Sequence, residues 1–219
     1  AITEEGLEFV VPEGNWKIYV TQLTRNRGPH RDYINMMDKA SCKVQIEAVY
    51  EPHWEHYKEE FGKTIAGFFS DEPELGNGHL YDQNNELGCS PTMDYPWSRE
   101  LEMRLKEELG EDFAGQLALL WEQDADTAET ARVRYAYMDG VSRLVEEDFS
   151  WPIGEWCRAH GVEYIGHLIE DNNHASKTGS SLGHFFRGLA GQDMAGIDDI
   201  GGQVMPGQED VDLNMPPFH

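Results

Sequence analysis

The sequence predicts an α/β fold, part or all of a (β/α)8 barrel of the TIM type. Two observations carry this prediction. Apolar strand-like runs alternate with helical patterns, the order expected of βα units and a parallel sheet. Three of those runs pass directly into acid, at "GFFSDEPE", "VEYIGHLIED" and "MAGIDDI". Strands of parallel α/β sheets deliver functional side chains in this way, from their C-terminal ends to a shared rim. The chain has 219 residues, against about 250 for a whole barrel. It shows about four units, so it looks like the middle of a barrel, with a large helical insertion after the "DEPE" strand.

Each element has its own signal. "LEFVVPEGNWKIYVTQLT" reads as two strands around a Pro-Glu-Gly-Asn turn, a hairpin over about residues 6–20. Residues 32–60 read as helix, with Asp32 as N-cap, a break near Asp38 to Ser41, and Gly62 as the stop. "KTIAGFFS" is a short strand whose lack of strict alternation predicts burial on both faces. Residues 76–95 are rich in Gly, Asn, Asp and Pro and form a long loop. Pro96 opens the helix of "PWSRELEMRLKEELG", and "FAGQLALLWE" is a further helical stretch. A long helix starts near Thr127, with Ala131, Tyr135, Met138, Val141 (or Ser142), Val145 and Phe149 as its apolar stripe. Pro152 starts a new turn or kinks the old one. The strand "VEYIGHLI" follows, then an amphipathic helix with Leu182, Phe185, Phe186 and Leu189 on one side, then the strand "MAGIDDI".

Composition narrows the function. The formal charge is -24, yet 39% of residues are hydrophobic and 11% aromatic, enough for a packed core. The acid is spread along the chain instead of gathered in a tail. Such a charge opposes nucleic acid and anionic membrane surfaces and accepts neutral substrates, such as sugars, and cations. No apolar run approaches the roughly 20 residues of a membrane span. The three cysteines are scattered and form no CxxC, and Cys157 reads as a small buried apolar residue. The chain begins "AITEEG" without Met and shows no signal peptide, which is read as a segment of a longer protein with localisation left open. Phosphate-binding loops, dinucleotide fingerprints and a GxSxG elbow are all missing from the sequence.

The candidate site is built from the acids at the strand ends. The first strand gives Asp71, Glu72 and Glu74 around Pro73, the second Glu170 and Asp171, the third Asp198 and Asp199. Asp and Glu also favour the starts of helices, so the last pair reads equally well as an N-cap or loop. Three carboxylates packed around a proline repel, and two arrangements compensate. One acid can hold a proton, as a general acid does, or a cation such as calcium can sit among hard oxygen ligands. His167, within its strand, either points into the cleft to hydrogen-bond a sugar or packs in the core. The spacing of His167 and His174 matches no zinc motif. Trp97 is a candidate for stacking on a sugar face, while the other tryptophans read as packing residues.

The stretches "VPEGNWKIYV", "DYINMMDKASCKVQIEAVYEPHWEHYKEEFGKTIAGFFSDEPE", "WCRAHGVEYIGHLIED" and "MAGIDDI" together resemble the α-L-rhamnosidase-type proteins of glycoside hydrolase family 106. They cover most of the chain in the right order. The resemblance implies a barrel catalytic domain of a large multidomain enzyme that removes terminal rhamnose with inversion, assisted by calcium. It implies Glu74 as general base, with Glu72 and Glu170 as calcium or substrate ligands. By the carboxylate-before-proline pattern of other barrel glycosidases, Glu72 is the acid instead. Asp71, His167, Asp171, Asp198 and Asp199 are the expected substrate-binding residues. The family's second catalytic glutamate belongs to a motif that is not found here. A part-barrel also leaves open sheet edges, which invite self-association.

Overall fold

Capping decides where the first long helical stretch begins. The computed structural model describes residues 2–3, 6–7, 10–24, 33–75, 89, 93–122, 127–169 and 181–198. Within them the N-cap is Asp38. Its carboxylate accepts the N–H groups of Ala40 at 2.9 Å and Ser41 at 3.4 Å. Asp32, the expected cap, lies outside the described residues. Helix α1 spans Lys39–Gln45, a π-helical turn Ile46–Tyr50, α2 Glu51–Tyr57 and a 3-10 turn Lys58–Glu60. Gly62, at φ 71°, takes the chain out of the helix as expected.

Between the first and second strands of the parallel sheet lies the predicted helical insertion. It holds α3 (Arg99–Leu109), α4 (Phe113–Gln116), a 3-10 turn (Leu117–Leu120), α5 (Ala128–Leu144), a second π-helical turn (Val145–Ser150) and α6 (Trp151–Ala159). Ser98 caps α3 by accepting the Leu101 N–H at 3.0 Å, and Thr127 caps α5 by accepting that of Thr130 at 3.1 Å. The buried stripe of α5 is Thr130, Val133, Ala136, Tyr137, Gly140, Val141 and Leu144, whereas Ala131 and Tyr135 are exposed. The expected stripe holds over its C-terminal part, where Met138 packs on the core and Val141, Val145 and Phe149 are buried, and fails over the first turns, where Tyr137 is buried against Tyr95 and the Pro96 carbonyl in place of Tyr135.

Both π-helical turns end just before a proline. The Glu51 N–H reaches the Ile46 carbonyl and the Trp151 N–H the Glu146 carbonyl, five residues back. Pro52 and Pro152 come next. A proline lacks the N–H that the carbonyl four residues back would receive, and its ring crowds that carbonyl. A widened turn relieves the clash while the helix continues. Pro152 therefore sits in the first turn of α6, the new turn expected there, while the helix runs on from the π-helical turn.

Two sheets are present among the described residues. β1 (Ile2–Thr3) and β2 (Gly6–Leu7) pair antiparallel. Residues 10–24 carry no strand, although a hairpin was expected through residue 20. Val10, Val20 and Leu23 are 90%, 79% and 76% exposed. A two-stranded ribbon with no layer against its apolar face is marginal in water. Glu122 holds this segment instead, pairing with Lys17 at 2.9 Å and accepting the Tyr19 hydroxyl.

The second sheet is parallel, in the order β3 (Gly67–Ser70), β4 (Glu163–Gly166), β5 (Met194–Ala195). Its register pairs Phe68 with Tyr164, Phe69 with Ile165, and Ile165 with Met194. Phe68 packs among Tyr50, Phe61 and Trp156 on the helical side, and Tyr164 is fully buried. On the other side Phe69 and Met194 are 61% and 62% exposed. The expectation of burial on both faces is thus corrected, since among the described residues helices cover one face only. α7 (Phe185–Leu189) is shorter than its pattern, with Leu182 and Leu189 buried and Phe186 turned outward. Arg187 fastens it to α5 through Asp139 at 2.8 Å and the Ser142 hydroxyl at 2.6 Å.

Two contacts make the packing specific. A Cβ on Gly191 would overlap the backbone carbonyl of Ser150, and one on Gly154 that of Gly191. Gly191→Ala should therefore lower the unfolding free energy by about 2 kcal/mol or more, while Gly115→Ala, with open space around it, should be neutral or slightly stabilising. Urea titration of both variants checks this. The second contact is Asp193, which accepts the Tyr164 N–H at 2.9 Å and an Arg158 N–H at 3.0 Å. Partial burial pushes its carboxyl up, but the Tyr164 and Arg158 donors outweigh that and hold it below the ordinary value. Its stabilisation is complete above the unfolded value of about 4 and is lost as pH falls through the lower folded value. Asp193→Asn should flatten the acid limb of a stability-against-pH curve, and an unchanged limb would refute the assignment.

Candidate functional site

The rim where β3 and β4 end gathers the acids. β3 stops at Ser70 and hands the chain to Asp71, Glu72, Pro73 and Glu74. β4 stops at Gly166, and the His167 N–H donates to the Ser70 carbonyl at 3.3 Å. Residues 71 and 167 thus come side by side although 96 positions separate them. β5 extends the same rim: the Gly196 N–H reaches the Gly166 carbonyl at 2.7 Å, leaving Asp198 exposed two residues on. Glu170, Asp171 and Asp199 lie outside the described residues.

His167 is buried, with 6% of its surface exposed. Its Nε2 lies 2.9 Å from Asp71 Oδ1, and its Nδ1 lies 2.9 Å from the Leu168 carbonyl oxygen. A carbonyl only accepts, so Nδ1 carries a proton and donates it to Leu168. In the neutral ring Nε2 then presents a lone pair to a carboxylate oxygen. A second proton on the ring, or a cation shared with the carboxylate, relieves that opposition. Both readings of His167 hold in part, since the ring is buried and also faces the rim.

Asp71, Glu72 and His167 could hold a metal ion, for each offers one ligand atom and these atoms lie within 4.8 Å of one another. Glu72 was expected as a ligand, whereas Asp71 and His167 were expected on the substrate. Glu72 is the one non-glycine residue at positive φ among the described residues, at 43°. It also precedes a proline, where the extended region is ordinarily favoured. A conformation of this kind costs on the order of 1–3 kcal/mol and tends to occur at functional sites.

Glu74 is half-buried. Partial burial and then the charge of Glu74 push the Tyr33 phenol above its ordinary value, which places Tyr33 within electrostatic reach of that carboxylate. Nothing in "DYINMM" announces that neighbour. The Leu75 N–H donates to the Ser181 carbonyl at 3.3 Å and anchors the acidic turn from behind. Trp97, the candidate sugar platform, is half-buried and packs on the hydrophobic core. Burial, aided by nearby acid, pushes the Cys42 and Cys157 thiols up to about 12, which excludes them as nucleophiles at neutral pH.

The chain matches no protein-family model, no curated protein and no solved structure. No helix among the described residues is long and apolar enough to cross a membrane.

The strain at Glu72 is directly measurable. Glu72→Gly removes the left-handed penalty, while Glu72→Ala keeps a Cβ at the same φ. The glycine variant should be the more stable of the two by about 1 kcal/mol, the reverse of the usual order of these residues. Guanidinium unfolding of the two variants decides it, and an alanine variant as stable as the glycine one would remove the strain.

Proposed function

We propose that the chain is part of a (β/α)-barrel glycoside hydrolase acting on terminal rhamnose or a related sugar, through an inverting, cation-assisted mechanism. The observation that supports it is the meeting of Asp71, Glu72 and His167 at the C-terminal rim of a parallel sheet, with Glu74 two residues beyond Glu72. The resemblance of "GFFSDEPE" and "WCRAHGVEYIGHLIED" to family 106 supplies the substrate class, and the charge of -24 suits a neutral glycan.

Glu74 acts as general base in this reading. It takes a proton from water as the water oxygen bonds to the anomeric carbon and the glycosidic C–O bond breaks. A second carboxylic acid, about 6.5–9.5 Å away in inverting enzymes, protonates the leaving oxygen. Glu72 falls to the cation side of the site because it shares a metal-capable group with Asp71 and His167. Calcium is the cation the resemblance implies. Asp71 and Glu72 fit it as hard oxygen ligands, and His167 positions Asp71 from its buried side. When bound, the cation would hold sugar hydroxyls.

A second reading is a metal-dependent hydrolase, favoured by the imidazole nitrogen in the same group, since nitrogen ligands suit zinc better than calcium.

Hydrolysis of an aryl rhamnoside by the full polypeptide tests the proposal. Glu74→Gln should lower kcat at least about a hundredfold, the usual floor for general acid–base catalysis. Glu72→Gln should lower activity in a way that added calcium partly restores. Activity untouched by both substitutions would overturn the reading. Dependence on zinc, with no response to calcium, would favour the metal-dependent alternative.

A further inference from the structure

Beneath the acidic rim, on the helical side of the sheet, lies a group of buried polar atoms that the proposed function does not use. The Tyr164 hydroxyl and both polar atoms of the Gln192 amide are buried without a hydrogen-bond partner. They are three of the six such side-chain atoms among the described residues. Tyr164 is fully buried, and its hydroxyl has the side chains of Ser70 and Gln192 as polar neighbours. Asp193, directly beside Gln192, holds the group together: its N–H donates to the Tyr164 carbonyl at 2.7 Å and its carboxylate accepts the Tyr164 N–H at 2.9 Å.

Buried polar groups in native proteins are almost always partnered, by protein or by ordered water. A primary amide offers two donor hydrogens and two acceptor lone pairs. One phenol hydroxyl can meet the amide oxygen or the amide nitrogen, so whichever way the amide is turned its other end stays bare. Direct pairing of Tyr164 with Gln192 therefore cannot satisfy the group. A water molecule can, since it donates twice and accepts twice and needs two to four polar partners, which Tyr164, Gln192 and Ser70 supply. Leaving these atoms bare costs more than immobilising one water.

We infer that Tyr164, Gln192 and Ser70 form a buried hydration site, taking one or two ordered waters, directly below the residue that precedes Asp71. The waters bridge the Tyr164 hydroxyl and the Gln192 amide and accept or donate at the Ser70 hydroxyl. This goes beyond the sugar-cleaving reading and stands without it, because it concerns the supports of the rim and not its chemistry.

A crystal structure at high resolution, collected without sugar or metal, is the direct test. It should show a discrete solvent peak within hydrogen-bond distance of both Tyr164 Oη and the Gln192 amide. A second measurement is a double-mutant cycle in urea. Tyr164→Phe alone strands the water and should lower the folding equilibrium constant about tenfold. Adding Gln192→Leu removes a second partner and leaves Ser70 alone, so the double variant should be less destabilised than the two single effects combined. Absence of the peak, or strictly additive effects, would overturn the inference.

Discussion

The parallel pairing of β3 with β4 is the contact on which the rest of the structure depends. Four residue pairs run from Gly67 with Glu163 to Ser70 with Gly166. The strands lie close because a glycine stands at each end of the ladder. A Cβ on Gly67 would overlap the Glu163 carbonyl, and one on Gly166 the Ser70 carbonyl. This short ladder sets Asp71 beside His167, and so it decides whether the acids of "SDEPE" stay scattered charges or become a site. A slip of one residue would turn every side chain of a strand to the opposite face, sending Phe68 out of its nest of aromatic rings and separating His167 from Asp71.

The ladder is held from the helical side. Phe68 is enclosed by Tyr50, Phe61 and Trp156, its partner Tyr164 is fully buried, and the Trp156 indole N–H donates to Glu51 at 2.8 Å. α6 reaches that position by running on from α5 through the π-helical turn before Pro152. Its close approach to Gly191 then brings Asp193 under β4. The long helical insertion thus does more than fill space, since it delivers the residues that clamp the centre of the sheet. The loop before α3 is fastened in the same manner: Tyr137 donates its hydroxyl hydrogen to the Pro96 carbonyl at 2.8 Å, and Trp121 its indole N–H to that of Met93 at 2.9 Å.

A chain this acidic must keep its carboxylates in water or give them partners. Many of the acids are exposed on helix surfaces, where repulsion is screened. The rim is different, because His167 is buried beneath Asp71 and Glu72 is held at positive φ. Local strain and gathered charge coincide at one place, which is what makes the rim the candidate site.

The sequence by itself determined the element types, the strand runs ending in acid, the helical insertion, and the candidates Asp71, Glu72, Glu74 and His167. These are legible because each rests on local chemistry: side-chain period, helix-stop glycines, and acids directly following apolar runs. Tertiary structure alone decided which positions in the first turns of α5 are buried and the absence of a strand over residues 10–24, where the expected hairpin was to continue to residue 20. It also decided that His167 answers Asp71. Those outcomes depend on which surfaces meet, and a sequence states which residues are apolar or charged without stating what stands opposite them.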